Sequence, residues 1–276
     1  MKIMQSVTQL REALAGQTSV GFVPTMGFLH EGHASLLEQA RQENDIVVLS
    51  IFVNPTQFGP NEDLDRYPRD EQRDQKLAQA AGVDYLFYPT NDVMYPLDMA
   101  RVTVRSGDDV LCGASRPGHF DGVLTVVSKL FNIVQPTRAY FGLKDAQQLA
   151  LIEGYVADYF VPVDIKRCPI IREADGLAKS SRNVYLSETE RRQAPGIQQA
   201  LQQAKQALDA GTPLETVLEQ TRASLHFEGT TIDYVEAVAY PALGPVDATT
   251  ETILLAVAVQ FESARLIDNL LYTRGA

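Results

Sequence analysis

The chain has no tryptophan, two cysteines, four histidines and fewer basic than acidic side chains. Cys112 and Cys168 make no CxxC pair, so neither a disulfide framework nor a thiolate metal cluster is expected, and both read as buried apolar fillers. With 24 basic and 35 acidic residues, the net charge of −11 disfavours nonspecific binding to nucleic acid or anionic membrane. A local basic pocket for a phosphorylated small molecule is still compatible with that charge. No apolar run reaches the roughly 18 residues that a membrane span needs. Residues 1–10 mix Lys2, Gln5 and Gln9 with apolar side chains, unlike a signal peptide, so the expected compartment is the cytoplasm. At 276 residues and 45% hydrophobic, the chain is sized for one large or two unequal globular domains.

Short β-rich runs alternate with amphipathic segments through the first two-thirds. Strands are expected over 19–23, 46–53, 84–88 and 138–141, and helices over 34–42, 70–81, 121–134 and 145–159, with an N-terminal helix capped by Ser6. The 46–53 run is nearly all apolar, as a strand buried on both faces must be. Repeated β-α-β units imply an α/β, Rossmann-like parallel sheet with helices on both faces, over residues 1–169. After Pro169 the pattern changes to a polar helix over 188–210, a second over 214–225 and β runs over 232–238 and 252–259. That reads as a small α+β C-terminal domain, residues 170–276.

The sharpest local signal is Pro24-Thr25-Met26-Gly27-Phe28-Leu29-His30-Glu31-Gly32-His33, between a strand end and a helix start. Ligands of parallel sheets bind at that edge, and a helix N-terminus there attracts anions. His30 and His33, with Gly32 between them for close backbone approach, are therefore read as phosphate ligands. Zinc is less well served, because HxxH alone supplies too few ligands. A second segment, Asn54-Pro55-Thr56-Gln57-Phe58-Gly59, places uncharged amides at another strand end. A third, Gly142-Leu143-Lys144-Asp145-Ala146-Gln147-Gln148, again joins strand to helix and offers a mobile cation in Lys144. A fourth, Lys179-Ser180-Ser181-Arg182, lies near the domain change with two cations and two hydroxyls, a set suited to a triphosphate. His119 is read as structural or peripheral.

The first segment resembles the HxGH signature of the nucleotidyltransferase superfamily. All four together, in this order, resemble the pantothenate synthetase family of pantoate–β-alanine ligases. The resemblance implies an ATP-dependent ligase that condenses pantoate with β-alanine through a pantoyl adenylate, with ATP as substrate and Mg2+. It implies catalytic roles for His30, His33 and Lys144. The ATP site would use Met26, Gly27, Phe28, Leu29, His30, Glu31, Gly32 and His33, then Gly142, Leu143, Lys144 and Asp145. Ile171 would lie near the adenine, and Lys179, Ser180, Ser181 and Arg182 over the phosphates. Asn54, Gln57 and Gln148 would bind pantoate, with Gln57 close to β-alanine, and Asp74 is the magnesium candidate. The C-terminal domain would act as a lid, and a homodimer would form through the large domain. Leu143 stands where the family often has Glu, Lys179 where an apolar residue is common, and Arg73 where a neighbouring acid is usual. A nucleotidyltransferase acting on another small acid would share the HxGH turn without the Asn54-to-Gln57 segment. A non-catalytic ATP-binding module would not need both histidines together with the 179–182 cluster.

Overall fold

The apolar runs of the sequence become the interior strands of a parallel sheet. In the computed structural model, which describes residues 1–60, 62–97 and 99–275, the chain begins with β1 (Lys2–Met4), α1 (Val7–Leu14), β2 (Val20–Thr25) and α2 (Glu31–Glu43). It continues through β3 (Ile46–Ile51), α3 (Glu71–Ala80), β4 (Tyr85–Phe87), α4 (Asn91–Met94) and α5 (Leu111–Ser115). Then come α6 (His119–Val134), β5 (Arg138–Gly142), α7 (Ala146–Asp158) and β6 (Asp164–Cys168). The six strands are all parallel, in the order β1-β4-β3-β2-β5-β6. β2 and β3 are the most deeply buried strands of this sheet, as their continuous apolar sequence requires. β1 and β6 were not expected, because edge strands tolerate polar residues such as Lys2, Asp164 and Lys166 and so carry no such run.

Strand order reverses at β2. The chain proceeds from β2 to β3 and β4 on one side, then crosses to β5 and β6 on the other. β2 pairs with β3 along its whole length but with β5 only at Gly21 and Phe22. Thr25 O accepts from Phe52 N–H at 3.0 Å, so Thr25 turns its polar groups to β3, and Pro24 faces the side where pairing with β5 has ended. A proline, which has no N–H to give, is tolerated there. The sheet thus parts at the carboxyl end of its switch point, the usual place for a ligand in an open parallel sheet.

The chain divides into two compact units. The second contains residues 106–115, 144–150 and 170–276, so α5 and the start of α7 group with the C-terminal residues. It adds α8 (Glu188–Gln193), α9 (Gly196–Asp209), α10 (Leu214–Ser224) and an antiparallel sheet of β7 (Thr231–Ala239), β8 (Thr252–Gln260) and β9 (Arg265–Thr273). The single helix expected over 188–210 is two, because Pro195 cannot donate to the preceding turn and α9 starts after it. β8 is central and almost wholly buried, and its Leu255 and Val257 pack with Leu201 of α9 and Val217 of α10. Arg172 donates twice to the buried Asp268, at 2.6 and 3.0 Å.

Glu190 ties α8 to the β8–β9 connection. Its carboxylate accepts from Ser187 N–H at 2.7 Å, Ser263 N–H at 3.0 Å and Ser263 Oγ at 2.8 Å. Desolvation opposes ionisation, but these bonds outweigh it and hold the carboxyl at about 2, against an ordinary 4.5. A depressed value means that the contribution to stability is complete above pH 4.5 and is lost as the pH falls towards about 2. Glu190→Gln, which cannot ionise, should flatten the stability–pH curve across that window. Denaturant titrations at several acid pH values check this, and an unchanged slope in the variant would refute it.

Candidate active site

The chain turns sharply after β2, and the turn is held from behind. Gly27 has φ +86° and Phe28 φ +49°. A Cβ on Gly27 would also come within 2.9 Å of Ile51 Cγ2 and 3.0 Å of Asp74 Oδ2, so both backbone and space require glycine. Phe28 bears a side chain in the left-handed region at a cost of about 1–2 kcal/mol. Asp74 of α3 offsets it: Oδ2 accepts from Phe28 N–H at 2.8 Å and Oδ1 from Leu29 N–H at 2.6 Å. Arg73 stacks its guanidinium over the Phe28 ring at 4.9 Å. Thr25 Oγ1 accepts from Gly27 N–H at 3.2 Å and donates to Ser50 O at 2.9 Å. Burial pushes the Asp74 carboxyl above its ordinary value, opposed by the two N–H bonds.

Asp74, the magnesium candidate, braces this turn with both oxygens. Among the described residues no group of three His, Cys, Asp or Glu side chains stands together as a metal site. Nothing in the sequence brings residue 74 to residue 28, whereas the tertiary fold does.

His30 and His33 cap α2 reciprocally. His30 is the N-cap, and its Nδ1 accepts from Gly32 N–H at 3.1 Å, while His33 Nδ1 accepts from His30 N–H at 3.2 Å. The spacing is that of a capping box, with imidazole nitrogens in place of the usual hydroxyl and carboxylate. That signal was present in HxxH. Because each Nδ1 is an acceptor, each neutral ring carries its proton on Nε2. The rings lie 4.1 Å apart, centroid to centroid, tilted by 38°. A cavity of 380 Å³ adjoins the turn, walled by Met26, Phe28, Phe52, Arg69, Asp74 and Tyr88.

The amide segment after β3 forms a 3₁₀ turn over Pro55–Gln57. Asn54 is 1% exposed, and its amide is fully engaged. Nδ2 donates to Gln57 Oε1 at 3.0 Å and to Gly122 O at 3.1 Å. Oδ1 accepts from Thr56 Oγ1 at 2.9 Å, from Tyr95 OH at 2.6 Å and, more weakly, from Thr56 N–H at 3.4 Å. Asn54, expected at the substrate, is thus bonded to protein on both amide atoms and orients Gln57. Accepting this bond orients the Gln57 amide, whose NH₂ is a donor. A Cβ on Gly122 would come within 2.3 Å of Thr56 O, so glycine lets α6 approach this turn.

The second unit carries the expected cations. Lys144 Nζ lies 3.7 Å from Asp145 Oδ1, and Lys144 O accepts from Asn269 at 2.9 Å. Lys179 is ion-paired with Glu173 at 2.7 Å, and its N–H donates to Ile171 O at 2.9 Å. Ser180 Oγ caps the 3₁₀ turn Ser181–Tyr185 by accepting from Arg182 N–H at 3.3 Å. Gln148 is half-buried in the first turn of α7, beside the buried Gln147, which donates to Gly107 O and Val110 O at 2.8 Å each. A Cβ on Gly142 would meet no protein atom within 4 Å, so packing does not demand that glycine.

The family model for pantoate-beta-alanine ligase matches residues 2–271. The chain belongs to the pantoate–β-alanine ligase family. It is 97% identical to the pantothenate synthetase of Exiguobacterium sibiricum over the full length of both chains. The crystal structure of pantothenate synthetase from Thermus thermophilus is similar at 47% identity and TM-score 0.94, covering 98% of this chain and 99% of that one. A pantoate-beta-alanine ligase from Francisella tularensis, in complex with beta-gamma ATP and beta-alanine, is 38% identical with TM-score 0.82, covering 98% and 97%. As a family member this ligase uses ATP to join pantoate to β-alanine, and the pantoyl-adenylate intermediate follows from the family. Among the described residues no helix is long and apolar enough to cross a membrane.

The bracing role of Asp74 is open to a direct test. Asp74→Asn would turn an NH₂ against one of the two backbone N–H donors. The ligase should lose about 1–3 kcal/mol of unfolding stability, and adenylation should slow as the histidine turn relaxes. Equilibrium unfolding and pyrophosphate release measure the two effects, and a variant normal in both would remove Asp74 from this role.

Proposed function

We propose that the histidine turn binds the phosphates of ATP and stabilises the charge that develops as pantoate attacks the α-phosphorus. The reciprocal cap carries this reading. It uses one nitrogen of each ring to fix the ring's direction, so that the other nitrogen donates. Such preorganised donors act without reorganising during the reaction. Pantoate carboxylate attacks, pyrophosphate leaves, and the β-alanine amine then displaces AMP from the pantoyl carbonyl. No enzyme nucleophile enters, so positioning and electrostatics supply the catalysis.

Gln57 and Gln148 bind pantoate, and the Gln57 NH₂ is a donor to its oxygens. Met26 to Leu29 and Gly142 to Asp145 line the nucleotide, with Ile171 near adenine. Lys144, Ser180, Ser181 and Arg182 are phosphate ligands. Lys179 joins them by exchanging the Glu173 carboxylate for a phosphate. Magnesium would accompany ATP and offset the charge of its phosphates, with Asp74 the candidate carboxylate to hold it. The reaction belongs in the cytoplasm, where ATP is at hand.

A homodimer is part of the same reading. Leu97 and Met99 are 77% and 85% exposed. They precede an irregular segment tied to α6 by Val102 N–H to Thr125 Oγ1 at 3.0 Å and Val104 N–H to Asp121 Oδ1 at 2.7 Å. A second copy that covers these side chains would remove the apolar exposure. Sedimentation should give a dimer mass that Leu97→Glu with Met99→Glu lowers to the monomer; an unchanged mass places the contact elsewhere.

The histidine role is tested with His33→Asn, whose amide oxygen takes the place of Nδ1 in the cap but has no Nε2 donor. Pyrophosphate release from ATP and pantoate, without β-alanine, should fall about 10²–10³-fold while unfolding stability is kept. A normal rate in the folded variant would end the assignment.

A further inference from the structure

The geometry points to His119 as a positioning residue of the acid subsite, acting through the backbone of Gln57. This rests on the reading that Gln57 binds pantoate. α6 opens at His119 without a side-chain cap, because its N-cap is Gly118. The ring is used for another purpose. Its Nδ1 lies 2.7 Å from Gln57 O. A carbonyl can only accept, so Nδ1 carries the proton and Nε2 is the acceptor. Arg116 Nη1 lies 3.0 Å from that Nε2 and donates to it.

Arg116 is itself fixed. Its Nε donates to Glu62 Oε1 at 2.7 Å and its Nη2 to Glu62 Oε2 at 2.6 Å, a two-pronged ion pair. The same Nη2 reaches Gln57 O at 3.4 Å. Glu62, Arg116 and His119 therefore form one chain of hydrogen bonds, charge-assisted as far as the imidazole, that ends on a single carbonyl. The His119 ring also packs edge-on against Phe120, with centroids 4.8 Å apart.

Gln57 is thus held at two points by different residues. Asn54 sets the direction of its side-chain amide, and His119 sets its backbone at the end of the 3₁₀ turn. The backbone of Thr56 and Gln57 is also pressed against Gly122. Loss of the His119 bond frees the carbonyl and lets the residue pivot, and a donor moved by a fraction of an ångström binds a small acid less well. Gln57 is assigned to the acid and not to the nucleotide, so the cost should fall on pantoate and spare ATP.

Steady-state kinetics of His119→Ala, His119→Asn, Gln57→Ala and the double variant Gln57→Ala/His119→Ala decide the matter. His119→Ala should raise the pantoate KM about five- to tenfold, with the ATP KM and kcat near normal. His119→Asn, whose amide NH₂ stands where Nδ1 stood, should recover most of that loss. The double variant should be no worse than Gln57→Ala. A normal pantoate KM in His119→Ala beside an impaired Gln57→Ala overturns the inference. So does an additive double variant, or a rise in the ATP KM equal to that for pantoate. A normal pantoate KM in Gln57→Ala instead overturns the acid-subsite reading itself, and the inference with it. Should His119→Ala not fold, His119→Gln replaces it: its amide reaches the Nε2 position, so it should be impaired where His119→Asn is not, and equal values refute the role.

Discussion

A buried carboxylate on α3 sets the direction in which the histidine turn faces. Asp74 accepts two adjacent backbone N–H groups, Phe28 and Leu29, at the place where the chain passes through two left-handed residues. Without that acceptor Phe28 has no reason to keep a conformation that costs it about 1–2 kcal/mol. The turn then fixes where α2 begins, and the start of α2 fixes the two rings through their reciprocal cap. Each step hands on orientation: carboxylate to backbone, backbone to helix end, helix end to imidazole. Burial of Asp74 raises the cost of its charge, and the two short bonds offset that cost.

The acid subsite repeats the arrangement with neutral groups. Asn54 bonds protein partners with both amide atoms, and one of those bonds orients the Gln57 amide. Gly122 lets α6 come close enough for its first turn to hold the same segment. In both places the side chain proposed to meet the ligand is aimed by a more deeply buried one. The parting of β2 from β5 after Phe22 leaves open the edge of the sheet that the histidine turn follows.

The interior of the fold was legible because burial on both faces leaves a mark in one dimension. The strands around 20–25, 46–51, 85–87 and 138–142 and most helices stand where their apolar pattern places them. β1 and β6 escaped, since an edge strand keeps its polar side chains in water. The helix over 188–210 was read through Pro195, where composition stayed helical although the hydrogen-bond ladder did not. The histidine pair was legible too, although its capping role passed unnoticed in a spacing that carried it.

The parallel α/β class, the strand-to-helix turn that bears His30 and His33, the amide segment at 54–57 and, through the ensemble of motifs, the family are all legible in the linear chain. All of these depend on short-range pattern: periodicity, strand ends and residues within a few positions of one another. Packing alone reveals that Asp74 braces a turn, that Asn54 orients Gln57, and that His119 grips Gln57 O across 62 positions of chain. A carboxylate, an amide or an imidazole has the same composition whichever partner it finds. Its partner is chosen when remote segments are packed together, and that packing has no counterpart in local spacing.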